Sequence, residues 1–160
     1  MGVIFFMNSN QIQLTVDGLE KLKQEAEELT NIKRPLAVER LQKARSMGDL
    51  KENSEYAAAK EDLAFVEGRI LEIEEILKNA VVANAKTNND FVEIGNRVVI
   101  EKNGQREEYL LVGEFEADPV QKKLSPTSPL GKALYSKRVN DIVEVEAPAG
   151  TIQYKILEIK

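Results

Sequence analysis

In the first half of the chain the apolar positions recur at helical spacing. Tyr56, Ala59, Leu63, Val66, Ile70, Ile73 and Leu77 follow one another at alternating intervals of three and four residues, the pattern of a coiled-coil seam. Leu19, Leu22, Ala26 and Leu29 begin a similar seam, which changes register near Pro35 before Ala37, Leu41 and Ala44 resume it. Pro35 lacks an N–H and crowds the carbonyl of Asn31, so it predicts a kink or local break there. Thr15 is a natural N-cap, with Gly18 an unfavourable residue in the first turn. The two seams are separated only by Met47–Asn53, which requires the helices to double back as an antiparallel hairpin. About 30 residues of helix would reach roughly 45 Å, so this hairpin is expected to project from another body.

The pattern changes after Lys78. A polar stretch rich in Asn reads as a linker, and beyond it the signals are those of strands. Arg97–Lys102 and Gln105–Val112 flank Asn103-Gly104, a strong hairpin signal because both turn residues tolerate positive φ. Ile142–Glu146 and Thr151–Ile159 flank Ala147-Pro148-Ala149-Gly150 and predict a second hairpin. Ser128-Pro129 ahead of Leu130–Tyr135 has the form of a helix start, with Ser at the cap and Pro at the first helical position. The expected organisation is an N-terminal extension over 1–14, a coiled-coil hairpin over 15–78, a linker over 79–90 and a small α+β domain over 91–160.

Composition narrows the chemistry. The chain has 160 residues, no Cys and no His, which removes Cys/His zinc sites, thiol nucleophiles and Ser-His-Asp triads together. Carboxylates, amines and hydroxyls remain. The absence of Cys fits a cytoplasmic location. The apolar run Val3–Met7 is far shorter than the roughly 20 residues of a membrane span and has no basic residue before it, so neither a membrane anchor nor export is expected. A net charge of −5 argues against wrapping duplex nucleic acid through a general positive field.

Charge is nevertheless uneven. Between Lys33 and Arg45 five bases (Lys33, Arg34, Arg40, Lys43, Arg45) face the single acid Glu39, whereas the second helix carries eight acids and three bases. This pattern suits either a salt-bridge-laced helix pair or a phosphate-binding stripe for single-stranded RNA beside the tip. At the tip, Asp49, Glu52 and Asn53 make sensible N-terminal turn residues for the second helix, or the carboxylates of Asp49, Glu52 and Glu55 could converge on Mg²⁺ if Glu52 starts that helix. An exposed pair or trio of carboxylates holds Mg²⁺ usefully only when another macromolecule completes the coordination.

The run from Ala44-Arg45-Ser46-Met47-Gly48-Asp49-Leu50-Lys51-Glu52-Asn53-Ser54-Glu55-Tyr56 to Glu61 resembles the signature of the bacterial transcript cleavage factors, the Gre family. Leu50 and the Ser-Glu-Tyr ending are similar to its GreA branch. Leu111-Val112-Gly113, Glu116–Pro119, Ser128–Leu134 and Val143–Ile159 resemble the family's C-terminal domain. The resemblance implies an antiparallel helical hairpin followed by a small FKBP-like α+β domain. It also implies a transcription elongation factor that is not a stand-alone enzyme. Such a factor binds RNA polymerase, inserts its coiled coil through the secondary channel, and stimulates the polymerase's own cleavage of the 3′ end of backtracked RNA.

By the same resemblance, Asp49 and Glu52 are the principal tip acids, helping to hold a Mg²⁺ shared with the polymerase active site and not bound stably by the factor alone. Gly48, Leu50, Asn53, Glu55 and Tyr56 support them, Tyr56 chiefly as a seam residue. Arg34, Arg40, Lys43 and Arg45 would lie near the nascent RNA, and Thr127, Ser128, Pro129 and Leu130 would dock on the channel rim. Ser136 and Asn140 stand where the family often has Gly. The hairpin supplies its own partner helix, so a monomer is expected. The alternative is a regulator that occupies the channel without promoting cleavage. A prolyl isomerase is disfavoured, because its aromatic pocket has few candidates in a chain without Trp.

Overall fold

The computed structural model describes residues 11–48, 53–83 and 89–160. Two compact units are present, one formed by the chain up to Gly18 and from Ala80 onward, the other by Leu19–Asn79. No described helix is long and apolar enough to cross a membrane.

In the helical unit α1 (Val16–Glu28) continues through a π-helical turn, Leu29–Lys33, into α2 (Arg34–Ser46), and α3 (Ser54–Asn79) returns. Where a kink or local break is expected at Pro35, the α-helical pattern gives way to the π turn and the chain stays helical through it. Lys33 and Arg34 keep right-handed helical dihedrals, and the Arg34 N–H donates to the Leu29 carbonyl five residues back. The wider turn absorbs one extra residue just ahead of Pro35, which has no N–H to bond back to the preceding turn. The same insertion explains the register change, since Leu29 and Ala37 are eight residues apart instead of seven. Leu22, Leu29, Ala44, Ala59 and Ile73 are buried, as the seam requires, and Ile76 joins them beside the half-buried Leu77.

Ion pairs lace the hairpin. Arg69 forks onto Glu25 at 2.8 and 3.0 Å and reaches Glu72 at 2.8 Å; Arg34 meets Glu67 at 3.1 Å. The Arg69 hydrogen bonds hold the Glu25 carboxyl below the usual carboxylate range. Such a bond stabilises the hairpin above the carboxyl's unfolded value and is lost as pH falls through its lowered folded value. Glu25→Gln is therefore expected to lower stability at neutral pH by about 0.5–1 kcal/mol, the small figure reflecting solvent screening of a pair one third exposed. Urea titrations at pH 7 and pH 3 check it, because the difference should shrink in acid.

The other unit is built on a five-stranded sheet in the order β5 (Lys123–Leu124), β4 (Gln105–Leu111), β3 (Arg97–Lys102), β7 (Gly150–Ile159), β6 (Ile142–Ala147). Only β4 and β5 are parallel. The two expected hairpins are there, with Asn103 at φ 51° and Gly104 at φ 78°, the two positive values that a tight right-twisted hairpin demands. Helix α4 (Pro129–Leu134) covers one face of the sheet. Leu134 is buried with Val92, Val98, Ile100, Leu111, Val143, Ile156 and Ile159, each burial worth roughly 1.5–3 kcal/mol. Ile156 and Ile159 are three apart and would face opposite ways in a regular strand. A bulge in the β3–β7 pairing, where Val99 meets Glu158 and Ile100 meets Ile156, turns both inward.

A separate two-stranded parallel pair, β1 (Ile12–Leu14) with β2 (Ala80–Val82), was not legible in the pattern: the first lies in the expected extension, the second in the expected linker. Three-residue strands are too short to show alternation, and the entire helical hairpin serves as their crossover. Thr15 caps α1 as expected, its Oγ1 accepting from the Gly18 N–H at 3.0 Å. Glu116, in a one-turn 3₁₀ segment Glu114–Glu116, accepts from the Thr15 N–H at 2.9 Å, from the Gly113 N–H at 3.2 Å and from the Thr15 hydroxyl. This explains the glycine in the first turn of α1. A Cβ on Gly18 would stand 2.0 Å from the Glu116 carboxyl carbon.

Ser136 and Asn140 both adopt positive φ, 61° and 74°. Asn tolerates that region and Ser does not, at a cost of roughly 1–2 kcal/mol. Ser136→Gly is expected to raise stability by about 1 kcal/mol after the greater chain entropy of Gly is counted. An upward shift of the urea midpoint with unchanged slope is the confirming result.

Candidate functional site

The tip of the hairpin is defined by how its two helices end. α2 stops at Ser46, and Gly48 follows at φ 131°, a backbone conformation that favours glycine. α3 opens at Ser54 with Asn53 as its cap: the Tyr56 N–H donates to Asn53 Oδ1 at 3.1 Å, and the Ala57 N–H donates to the Asn53 carbonyl at 3.2 Å. The other end of the same side chain, Nδ2, donates to the Ala44 carbonyl at 2.8 Å. One asparagine thus serves an unpaired N–H at the start of α3 and a carbonyl in the last turn of α2. Asp49, Leu50 and Glu52, assigned to the tip from the sequence, lie outside the described residues.

Glu55 is not available to the tip as a third carboxylate. Arg40 forks onto it, Nε to Oε1 at 2.7 Å and Nη2 to Oε2 at 3.2 Å, and also pairs with Asp62. The Arg40 hydrogen bonds hold the Glu55 carboxyl below the usual range, and Glu55 also sits favourably in the first turn of α3. Among the described residues no group of three or more acidic side chains is placed to hold a metal ion. Tyr56 is half-buried, consistent with a seam position.

Of the four bases assigned near RNA, three are engaged. Arg34 pairs with Glu67, Arg40 with Glu55 and Asp62, and Lys43 with Glu39 at 2.7 Å. Arg45 is exposed and has no ion-pair partner among the described residues. Two of these bases, Arg34 and Arg40, pair the two helices, and Lys43 is used within α2.

The second assigned region, Thr127–Leu130, is a tightly bonded turn leading into α4. Ser128 caps that helix, its Oγ accepting from the Gly131 N–H at 3.1 Å while donating to the Ser125 carbonyl at 2.6 Å. Ser125, not singled out from the sequence, is buried; its hydroxyl meets Thr127 Oγ1 at 2.6 Å and accepts from the Thr127 N–H at 3.0 Å. The repeated Ser-Pro of Ser125-Pro126 and Ser128-Pro129 is the signal that could have found it. Thr127 and Pro129 are exposed and Leu130 half-buried, so the turn is presented by a fixed backbone. It borders a cleft of about 330 Å³ lined also by Ile94, Phe115 and Gln13.

Residues 12–82 match the N-terminal domain of the transcription elongation factors GreA and GreB, and residues 86–160 match their C-terminal domain. The transcription elongation factor GreA of Thermoanaerobacter pseudethanolicus is 48% identical over 155 residues, covering 95% of this chain and 99% of the relative. That of Acetivibrio thermocellus is 47% identical, with 95% and 98% covered. A solved structure, GreA factor homolog 1 of Thermus thermophilus, is 30% identical over 94% of this chain and 99% of its own, with a TM-score of 0.44, so the assignment rests on sequence. Both domains match, in order and over nearly the whole length, and the chain belongs to the GreA/GreB family of transcription elongation factors.

Proposed function

We propose that this chain acts on RNA polymerase, entering its secondary channel with the hairpin tip and stimulating the polymerase's own hydrolysis of the 3′ end of backtracked RNA. The observation that carries this reading is the tip itself. The sequence Gly48-Asp49-Leu50-Lys51-Glu52-Asn53 joins two long helices whose ends are bonded together through Asn53, and two of its residues are carboxylates. In this reading Asp49 and Glu52 contribute ligands to a Mg²⁺ shared with the polymerase active site and orient the attacking water. The donor set fits a shared ion only: with Glu55 committed to Arg40, the chain brings two acids and must find the remaining ligands on its partner. A bound Mg²⁺ would supply a more acidic water and neutralise charge on the phosphate.

The other residues have simpler parts. Arg45, exposed beside the tip, offers a cation to the RNA backbone, whereas Arg34 and Arg40 hold the two helices together and Lys43 pairs with Glu39 within α2. The Thr127–Leu130 turn docks on the channel rim. The factor works as a monomer in the cytoplasm. The test adds the purified chain to a stalled, backtracked elongation complex of its cognate polymerase with Mg²⁺. Short 3′ RNA fragments and resumed elongation are expected. Binding without fragments would overturn the cleavage reading in favour of a channel-occupying regulator.

A further inference from the structure

We infer that Asn53 is a positioning residue for the tip through its amide donor, a role separate from its capping of α3; the inference rests on the cleavage reading above. Its two hydrogen bonds do different things. The bond from the Tyr56 N–H to Oδ1 belongs to α3 alone and is the ordinary work of an N-cap. The bond from Nδ2 to the Ala44 carbonyl crosses between helices and ties the last turn of α2 to the first turn of α3, spanning nine residues of chain. The Ala44 carbonyl also accepts from the Met47 N–H at 3.3 Å, so the tie and the closing turn of α2 converge on one oxygen.

The surroundings are built for this approach. Ala44 and Ala59 are buried to 1% and 0% exposure, and their small side chains take up little room where α2 and α3 pack. Asn is suited chemically, with an acceptor and two donors on one short arm. Asp keeps the acceptor and loses the donor, and Ser caps a helix well but is too short to span the gap. The α2 side of the tip departs through Gly48 at φ 131°, and the tie joins the described residues on the two sides of the tip run.

The capping and tying roles separate in Asn53→Asp and Asn53→Ser, two variants that retain a good cap. Cleavage rates are measured against factor concentration on the backtracked complex with Mg²⁺, using the full chain. For both variants the plateau rate is expected to fall on the order of 10- to 100-fold, the scale of a small misplacement of reacting groups, with the half-saturating concentration unchanged. Without polymerase, amide exchange should quicken at Met47 and stay slow at Tyr56 and Ala57. Agreement between the charged and the neutral variant excludes an effect of added charge. An unchanged plateau, a shift in half-saturation alone, or unchanged exchange at Met47 would overturn the inference. If the unaltered chain releases no fragments, the cleavage reading falls by itself and the exchange comparison still decides whether the tie exists.

Discussion

Replacing Asp49 and Glu52 together with Ala is expected to reduce stimulated RNA cleavage on the order of 10²–10³-fold while leaving binding to the polymerase intact, the scale seen when a preorganised group facing transition-state charge is removed. The physical reason is the poverty of the chain in other catalytic groups. Without His or Cys, and with Glu55 taken by Arg40, these two carboxylates are the acids left within the tip run Met47–Glu55. Each single isosteric change, Asp49→Asn or Glu52→Gln, should cost nearly as much as the pair, because in the proposed reading the two share one ion and act as a unit. The measurement is single-turnover fragment release at saturating factor, with competition against the unaltered chain to establish that the variant still occupies the polymerase. A double variant that cleaves at the normal rate removes the assignment of these two residues.

Gly131→Ala is the substitution expected to do most damage to the sheet-bearing unit. A Cβ there would lie 1.9 Å from the Ser125 carbonyl oxygen and 2.7 Å from Ser128 Oγ. The obstacle is backbone, and that carbonyl already accepts from the Ser128 N–H at 3.0 Å and the Ser128 hydroxyl at 2.6 Å. Relief therefore requires α4 to move away from the turn, drawing Leu134 from the core and breaking the Ser128 cap. A loss of about 3 kcal/mol is expected, at the upper end of overpacking costs with a buried hydrogen bond added. In the proposed reading, where the Thr127–Leu130 turn docks on the polymerase, binding should weaken even where the variant remains folded. Gly68→Ala is the control. It lies in α3 with nothing within 4 Å of a new Cβ, and it should stabilise the hairpin by up to about 1 kcal/mol. Thermal and urea unfolding of the two variants must move in opposite directions for the argument to stand.

Some features were legible because they depend on residues near one another in the chain. The three-four spacing of the α3 seam, the Asn103-Gly104 turn and the Ser128-Pro129 helix start are each set by local sterics or local hydrogen bonding, and each appears where the residues place it. The register change near Pro35 was equally visible, but its form was not. Proline chemistry predicts lost space and a lost donor, and only the structure shows the form the chain takes, a π turn over Leu29–Lys33. The basic run was read correctly as composition. The use of Arg34 and Arg40 is set by acids across the hairpin, 15 to 33 residues distant in sequence.

Taken alone, the sequence determined the two-part organisation, the antiparallel hairpin, the C-terminal strand pairs, and the family resemblance that the comparisons bear out. It determined these because periodicity, turn residues and motif order are one-dimensional properties. Only the tertiary structure decided that Glu116 holds Thr15, the cap of α1, from 101 residues away, that Gly18 and Gly131 are glycines for want of space rather than for φ, that a bulge turns Ile156 and Ile159 to the same face, and that Asn53 bonds to both helices. In each case the deciding partner is a backbone atom or carboxylate brought near by packing. Such contacts leave no periodic trace, because their energy depends on a distance in space that the spacing of residues along the chain does not encode.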